Sequence, residues 1–261
     1  MSGAQRIICL TEETVETLYL LGQEHRIVGV TGYAVRPKRV RREKPRVGAF
    51  TTADVPKILA LNPDLVLTFS DLQADIAADL IRAGIEVHAF NQRSVAGILA
   101  MIRTLGRLLD CTDRAEALAD GFEYRIDVQG AREPRHRPRV YFEEWDAPMI
   151  TGIGWVSELI EIAGGIDCFA HLRHHQAAKD RIIAPEDVLD ARPDIIIGSW
   201  CGKKFAPHRV VARPGWTSIP AVQCGALFEI KSPLILQPGP AALSDGLDAL
   251  CLIINGKAAS C

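Results

Sequence analysis

Short apolar runs alternate with helical periods along the first ninety residues. Arg6–Leu10 predicts a strand, and Thr11–Leu21 a helix with Thr11 as its cap and Glu12 and Glu13 in the first turn, where the helix dipole favours acids. Gly22 ends that helix. Arg26–Val30 reads as a strand, and Asp54–Leu61 as a short helix closed by Asn62-Pro63. Leu65–Phe69 is a strand, Leu72–Ala83 a helix ended by Gly84, and Glu86–Phe90 a further strand. Strands separated by helices of about ten residues imply parallel pairing through βαβ units.

The middle of the chain is helical. Val95, Ile98, Leu99, Ile102, Leu105 and Leu108 fall on one helical face, and a second helical stretch runs from Asp113 to about Gln129. A polar, proline-punctuated segment over 132–138 follows. The first pattern then restarts, with strands over Val140–Phe142, Ile195–Gly198 and Leu227–Ile230. Helices are expected over Ile153–Ala163, Pro185–Ala191 and Gly239–Ile254. Residues 55–67 (VPKILALNPDLVL) and 185–197 (PEDVLDARPDIII) echo each other as short helix, Pro-Asp turn and buried strand. A repeat this long is a duplicated lobe, not a solenoid. The expected organisation is an N-terminal α/β lobe over 1–92, a helical connector over 93–136 and a C-terminal α/β lobe over 137–261.

Composition narrows the class. Apolar residues make up 48% of the 261 positions and charged residues 24%, an ordinary globular balance. A net charge of −2 argues against a general nucleic-acid binder. No apolar run approaches the ~20 residues of a membrane span. The seven cysteines are odd in number, widely spaced and without a CxxC pair, so neither a disulfide framework nor a zinc ribbon is expected; Cys201 stands apart as a thiol beyond a strand end, before Gly202-Lys203-Lys204. The first apolar segment begins six residues after Met1, which leaves no room for a secretory signal. The expectation is a cytoplasmic protein, or a periplasmic one whose leader has been removed. No G-x-S-x-G elbow, P-loop, dinucleotide fingerprint or H-E-x-x-H occurs, so no enzyme class is signalled.

The order of motifs resembles the class III periplasmic-binding proteins, receptors for vitamin B12, haem and ferric siderophores, and most nearly their cobalamin-binding branch. The pieces are Thr11–Glu16, Val28-Gly29-Val30-Thr31-Gly32-Tyr33, Pro45-Arg46-Val47-Gly48 and Leu61-Asn62-Pro63-Asp64-Leu65-Val66. The second lobe adds Ile162-Ala163-Gly164-Gly165, Arg192-Pro193-Asp194 and Arg213-Pro214-Gly215-Trp216. The resemblance covers about residues 5–255. It implies an α/β fold of two Rossmann-like lobes joined by a long interdomain helix, with a ligand cleft between the lobes and no catalytic residues. The ligand implied is a cobalamin-like corrinoid, with haem or a ferric siderophore as alternatives.

Carried over by position, the resemblance implies that Tyr33, Phe50 and Phe69 flank a flat macrocycle. All three follow expected strands, where ligands of open α/β sheets bind. The plain alternative is that Phe50 and Phe69 cap the core. Glu143, Glu144 and Trp145 end a strand of the second lobe, and together with Glu12 and Glu13 give four carboxylates able to accept from ligand amides. Trp200, at another strand end, is expected to pack on a ligand, with Lys203 or Lys204 able to meet a phosphate, while Trp216 is expected in the core. His174 and His175 are candidate axial metal ligands, or simply solvated loop residues. The seven basic residues between Arg36 and Arg46 read as a solvated loop.

Importer-linked members of the family carry one acidic docking residue per lobe. Glu186 keeps the second; the first-lobe position is Pro56, with Asp54 nearby. Docking to an ABC permease is therefore in doubt on sequence, and neither nucleic acid nor membrane insertion is expected. The alternatives are a metal-dependent enzyme using Glu143 and Glu144 with His174 or His175, a cytoplasmic chelate-handling or sensing protein, and a protein-interaction module with a vestigial cleft.

Overall fold

The computed structural model describes residues 3–132 and 136–258 and divides into two compact units, 1–92 with 96–121, and 93–95 with 122–261. The first unit is a four-stranded sheet in the order β2-β1-β3-β4, built from β1 (Ile7–Cys9), β2 (Ile27–Val30), β3 (Leu65–Phe69) and β4 (Val87–Phe90). All its pairings are parallel. β1 and β3 are buried along their whole length, as parallel strands covered on both faces require. Helices α1 (Glu12–Leu20), α2 (Val40–Glu43), α3 (Val55–Ala60) and α4 (Ala74–Arg82) connect the strands. Ile8, Leu10, Val47, Ile58, Val66 and Leu80 form the core.

The expected helical stretches appear as α5 (Val95–Leu108) and α6 (Thr112–Gly130). Gly106 lets them meet closely, since a Cβ there would lie 2.2 Å from the Ala115 Cβ. The connector expected over 93–136 is shared out: 96–121 belongs to the first unit and 93–95 and 122 onward to the second, so α6 runs through the division.

The second unit holds β5 (Arg139–Asp146), β6 (Met149–Thr151), β7 (Ile166–Asp167), β8 (Ile195–Gly198) and β9 (Leu227–Glu229) in the order β6-β5-β8-β9, with β7 also on β5. Helices α7 (Gly154–Ile162), α8 (Pro185–Ala191), α9 (Pro207–Val211), α10 (Pro220–Gln223), α11 (Ser232–Ile235) and α12 (Leu247–Ala258) complete it. Trp216, fully buried as expected, sits in a core with Tyr141, Phe169, Val188, Ile196 and Trp200.

Several expectations are corrected. β5 runs to Asp146 instead of stopping at Phe142, because the antiparallel β6, which the periodicity did not signal, extends it past its pairing with β8. Thr11 precedes α1 but does not cap it through its side chain; its hydroxyl lies 3.1 Å from that of Thr14. The helix expected from Leu72 begins with a 3-10 turn over Asp71–Gln73. The single helix expected over Gly239–Ile254 is a wide π turn over Ala242–Gly246 leading into α12.

Candidate ligand-binding surfaces of the two lobes

In an open α/β sheet, ligands bind beyond the strand C-termini where the strand order reverses. In the first unit that point lies between β1 and β3, since β2 flanks β1 on one side and β3 on the other. Gln73 organises it. Its Oε1 accepts from the Phe69 N–H at 2.9 Å, and its Nε2 donates to the carbonyls of Leu10 at 3.2 Å and Phe50 at 2.7 Å. One buried amide thus ties the ends of β1 and β3 to the loop carrying Phe50. No sequence signal marked it.

The three aromatics fare differently. Tyr33 is 54% exposed, beyond the end of β2, with its N–H on the Thr31 hydroxyl at 3.4 Å. Phe50 is half-buried in the turn closed by Ala49 N–H donating to the Thr52 carbonyl at 2.8 Å. Phe69 is buried at 5% exposure, because every position of β3 faces a covered side of a parallel sheet. The expected three-ring face is therefore reduced to Tyr33 and Phe50.

Glu12, Glu13 and Glu16 share the first turns of α1. Glu13 and Glu16 are buried, and Glu16 is paired with Arg36 at 2.8 Å. Burial, then the charges of Glu13 and Glu16, push the Glu12 carboxyl up to about 8. At neutral pH Glu12 is mostly protonated, so it can donate as well as accept. The basic loop largely folds onto its own lobe. Arg39 meets Glu24 at 3.0 Å and covers the Tyr19 ring at 4.7 Å, and Lys44 donates to the Ile27 carbonyl at 2.8 Å. Arg41, Arg42 and Arg46 are exposed.

In the second unit the reversal falls between β5 and β8, with β7 and β8 on opposite sides of β5. Here the expected acidic face is corrected. Glu143 is fully buried, and Arg213 grips it bidentately at 2.6 and 2.9 Å. Tyr141 and Trp200 donate to the same carboxylate at 2.8 and 2.9 Å. Alternation along β5 sends position 143 to the side of Tyr141, into the core. The charge of Glu143 is met within the lobe, which leaves no acceptor for a ligand amide. Glu144 accepts from the buried Arg181 at 2.7 Å. Trp200 is 2% exposed and packs edge-on against Phe205 at 5.0 Å, so it belongs to the core rather than to a ligand platform. Gly198 makes room for this, since a Cβ there would lie 1.9 Å from the Phe205 ring.

Trp145 remains partly exposed, with its indole N–H on the Ala147 carbonyl at 2.9 Å. Beside it Asp146 is 8% exposed, bound by Lys203 on one oxygen and Arg209 at 3.1 Å on the other. Burial raises the Asp146 carboxyl, but the hydrogen bond and charge of Lys203, with the charge of Arg209, outweigh it and hold the group below its ordinary value. Lys203 stands 3.8 Å over the Trp145 ring. Asp146 and Arg209 escaped the sequence reading, and Arg213 appeared there only as part of a motif.

The His174 and His175 rings lie side by side, their centroids 4.1 Å apart and their planes tilted by 38°, His174 exposed and His175 half-buried. Among the described residues no cluster of three or more His, Cys, Asp or Glu could hold a metal ion, and Cys201 is exposed. Glu186 is exposed in the first turn of α8. Asp54 caps α3, accepting the Lys57 N–H at 3.0 Å, while Pro56 occupies the first turn. Among the described residues no helix is long and apolar enough to cross a membrane.

Each unit is an α/β sheet, all-parallel in the first and with the antiparallel β6 at one edge of the second. A family model for periplasmic binding proteins matches residues 7–234, and the chain belongs to that family, one of solute-binding proteins rather than enzymes. The vitamin B12-binding protein of Yersinia pestis (strain Pestoides F) is 26% identical over 201 residues, covering 76% of this chain and 70% of that protein. The fold is also that of the periplasmic vitamin B12-binding protein of Vibrio cholerae, with a TM-score of 0.77, 23% identity and coverage of 98% and 99% of the two chains. A possible iron-binding periplasmic solute-binding protein of Staphylococcus epidermidis gives a TM-score of 0.82 at 22% identity, covering 97% and 99%. This membership overturns the cytoplasmic expectation, together with the idea of a cytoplasmic chelate-handling protein. That expectation rested on the opening residues, the unpaired cysteines and Pro56.

Proposed function

We propose that the chain is the binding receptor for a corrinoid of the cobalamin type, with haem or a ferric siderophore as the competing ligands within the same family. The observation that carries this reading is Tyr33. It is an aromatic ring left more than half exposed just past the C-terminal end of β2, the strand beside β1, on the strand-end side of the sheet where ligands of such folds are met. Aromatic faces suit a large flat macrocycle. The vitamin B12-binding relatives favour a corrin over the alternatives. The metal-dependent enzyme reading loses its proposed ligands, because Glu143 and Glu144 are both held by arginines. A permease partner would meet Glu186 on the second lobe and Asp54, in place of position 56, on the first.

Thermal unfolding against cobalamin, cobinamide, haem and ferric siderophores tests this. A ligand at a hundredfold over its Kd stabilises by about 2.7 kcal/mol, which raises Tm by about 5–10 °C for a chain of this size. A shift with corrinoids is expected. A shift with haem or a siderophore alone, or with none of them, overturns the corrinoid reading.

A further inference from the structure

The second lobe was expected to present Glu143 and Glu144 at a strand end, but both are paired with arginines, and two exposed cations, Lys203 and Arg209, stand beside them. Glu143 and Glu144 are neutralised by Arg213 and Arg181. Glu229 turns one oxygen to the Phe205 N–H at 3.0 Å. Asp146 is one carboxylate shared by two cations, each on a different oxygen. An ammonium has three N–H donors and a guanidinium five, so a single carboxylate satisfies neither group fully. Both cations reach solvent: the Lys203 side chain is 34% exposed and that of Arg209 55%. Lys204 is exposed beside them. Asp146 ends β5 and Lys203 lies just past the end of β8, the two strands between which the order reverses, and Arg209 reaches Asp146 from α9. The buried Asp146 accepts a hydrogen bond from Lys203 and forms an ion pair with Arg209 through its other oxygen, and the Trp145 ring supports Lys203 from one side.

We propose that Lys203 and Arg209, held by Asp146 and backed by Trp145, form a subsite for a monoanionic oxyanion arm of the ligand, a phosphodiester or a carboxylate. This deepens the receptor reading and rests on it. It also assigns the second lobe a selective role.

Paired ligands that differ only in the arm provide the test. Cobalamin carries a phosphodiester that cobinamide lacks, and haem carries carboxylates that its dimethyl ester lacks, so the two pairs separate the two sources of the anion. Titration calorimetry on the full chain is expected to show at least a tenfold preference for the anionic member of the pair that binds, weakening as salt is raised. In Lys203→Gln/Arg209→Gln that ratio is expected to fall towards one. Because this variant strands the buried Asp146 carboxylate, Lys203→Gln/Arg209→Gln/Asp146→Asn serves as the second variant, with the uncompensated charge removed. If a pair binds but the wild-type chain shows no preference, or the variants keep it, the subsite is overturned and the receptor reading stands. If neither pair binds the wild-type chain, both fall.

Discussion

Glu143 carries a charge inside the second lobe because four donors converge on it, two from Arg213 and one each from Tyr141 and Trp200. Removing one partner of such a pair leaves the other charge uncompensated, so Glu143→Ala is expected to cost about 3–5 kcal/mol in urea denaturation. Tyr33 is the opposite case. Tyr33→Ala is expected to change stability by no more than about 0.5 kcal/mol, as at an exposed site, while weakening ligand binding about tenfold or more, a loss of about 1.4 kcal/mol or more. Calorimetry beside denaturation checks the split. Glu12 predicts a pH dependence. Its folded pKa, near 8, lies above its unfolded value, so the folded state binds more protons between the two. The contribution is full below the unfolded pKa, about 4.3, and is lost as pH rises through about 8. Denaturation between pH 5 and about 9 should show a decline that Glu12→Gln flattens.

At the scale of elements, strand ends are joined by side chains rather than by sequence neighbours. Gln73→Ala would strip the Phe69 N–H and the Leu10 and Phe50 carbonyls of their partner, at a cost of about 1–3 kcal/mol for buried groups left unsatisfied. Faster amide exchange at Phe69 is the expected signature. The strands themselves were readable: Leu65–Phe69 and Ile195–Gly198 were expected with the bounds observed, because a parallel strand covered on both faces is an unbroken apolar run. β6 and β7 were not readable, since two or three residues show no period and exist only through pairing with β5. Partners such as Arg213 for Glu143, seventy positions away in the chain, leave no local trace.

At the scale of the molecule, each unit has its own sheet and core, and all four tryptophans (Trp145, Trp155, Trp200 and Trp216) belong to the second. Tryptophan fluorescence therefore reports the second unit. In Glu143→Ala the fluorescence midpoint is expected to fall while amide exchange in β1 and β3 of the first unit stays as in the wild-type chain. Equal loss in both would show a single cooperative unit instead.

Fold class, the two-lobe repeat, the long helix and the family follow from local information: apolar runs, helical periods, Pro-Asp turns and their order along the chain. Which charged and aromatic residues face solvent does not, because it depends on partners brought together from distant segments. Phe69 ends a strand and Trp200 follows one, much as Tyr33 does, yet packing buries both and leaves Tyr33 open. Glu143 and Glu144 read as an acidic surface in one dimension, and Asp146 beyond them went unread. Folding sets Arg213, Arg181, Lys203 and Arg209 against them, and the surface that remains is cationic.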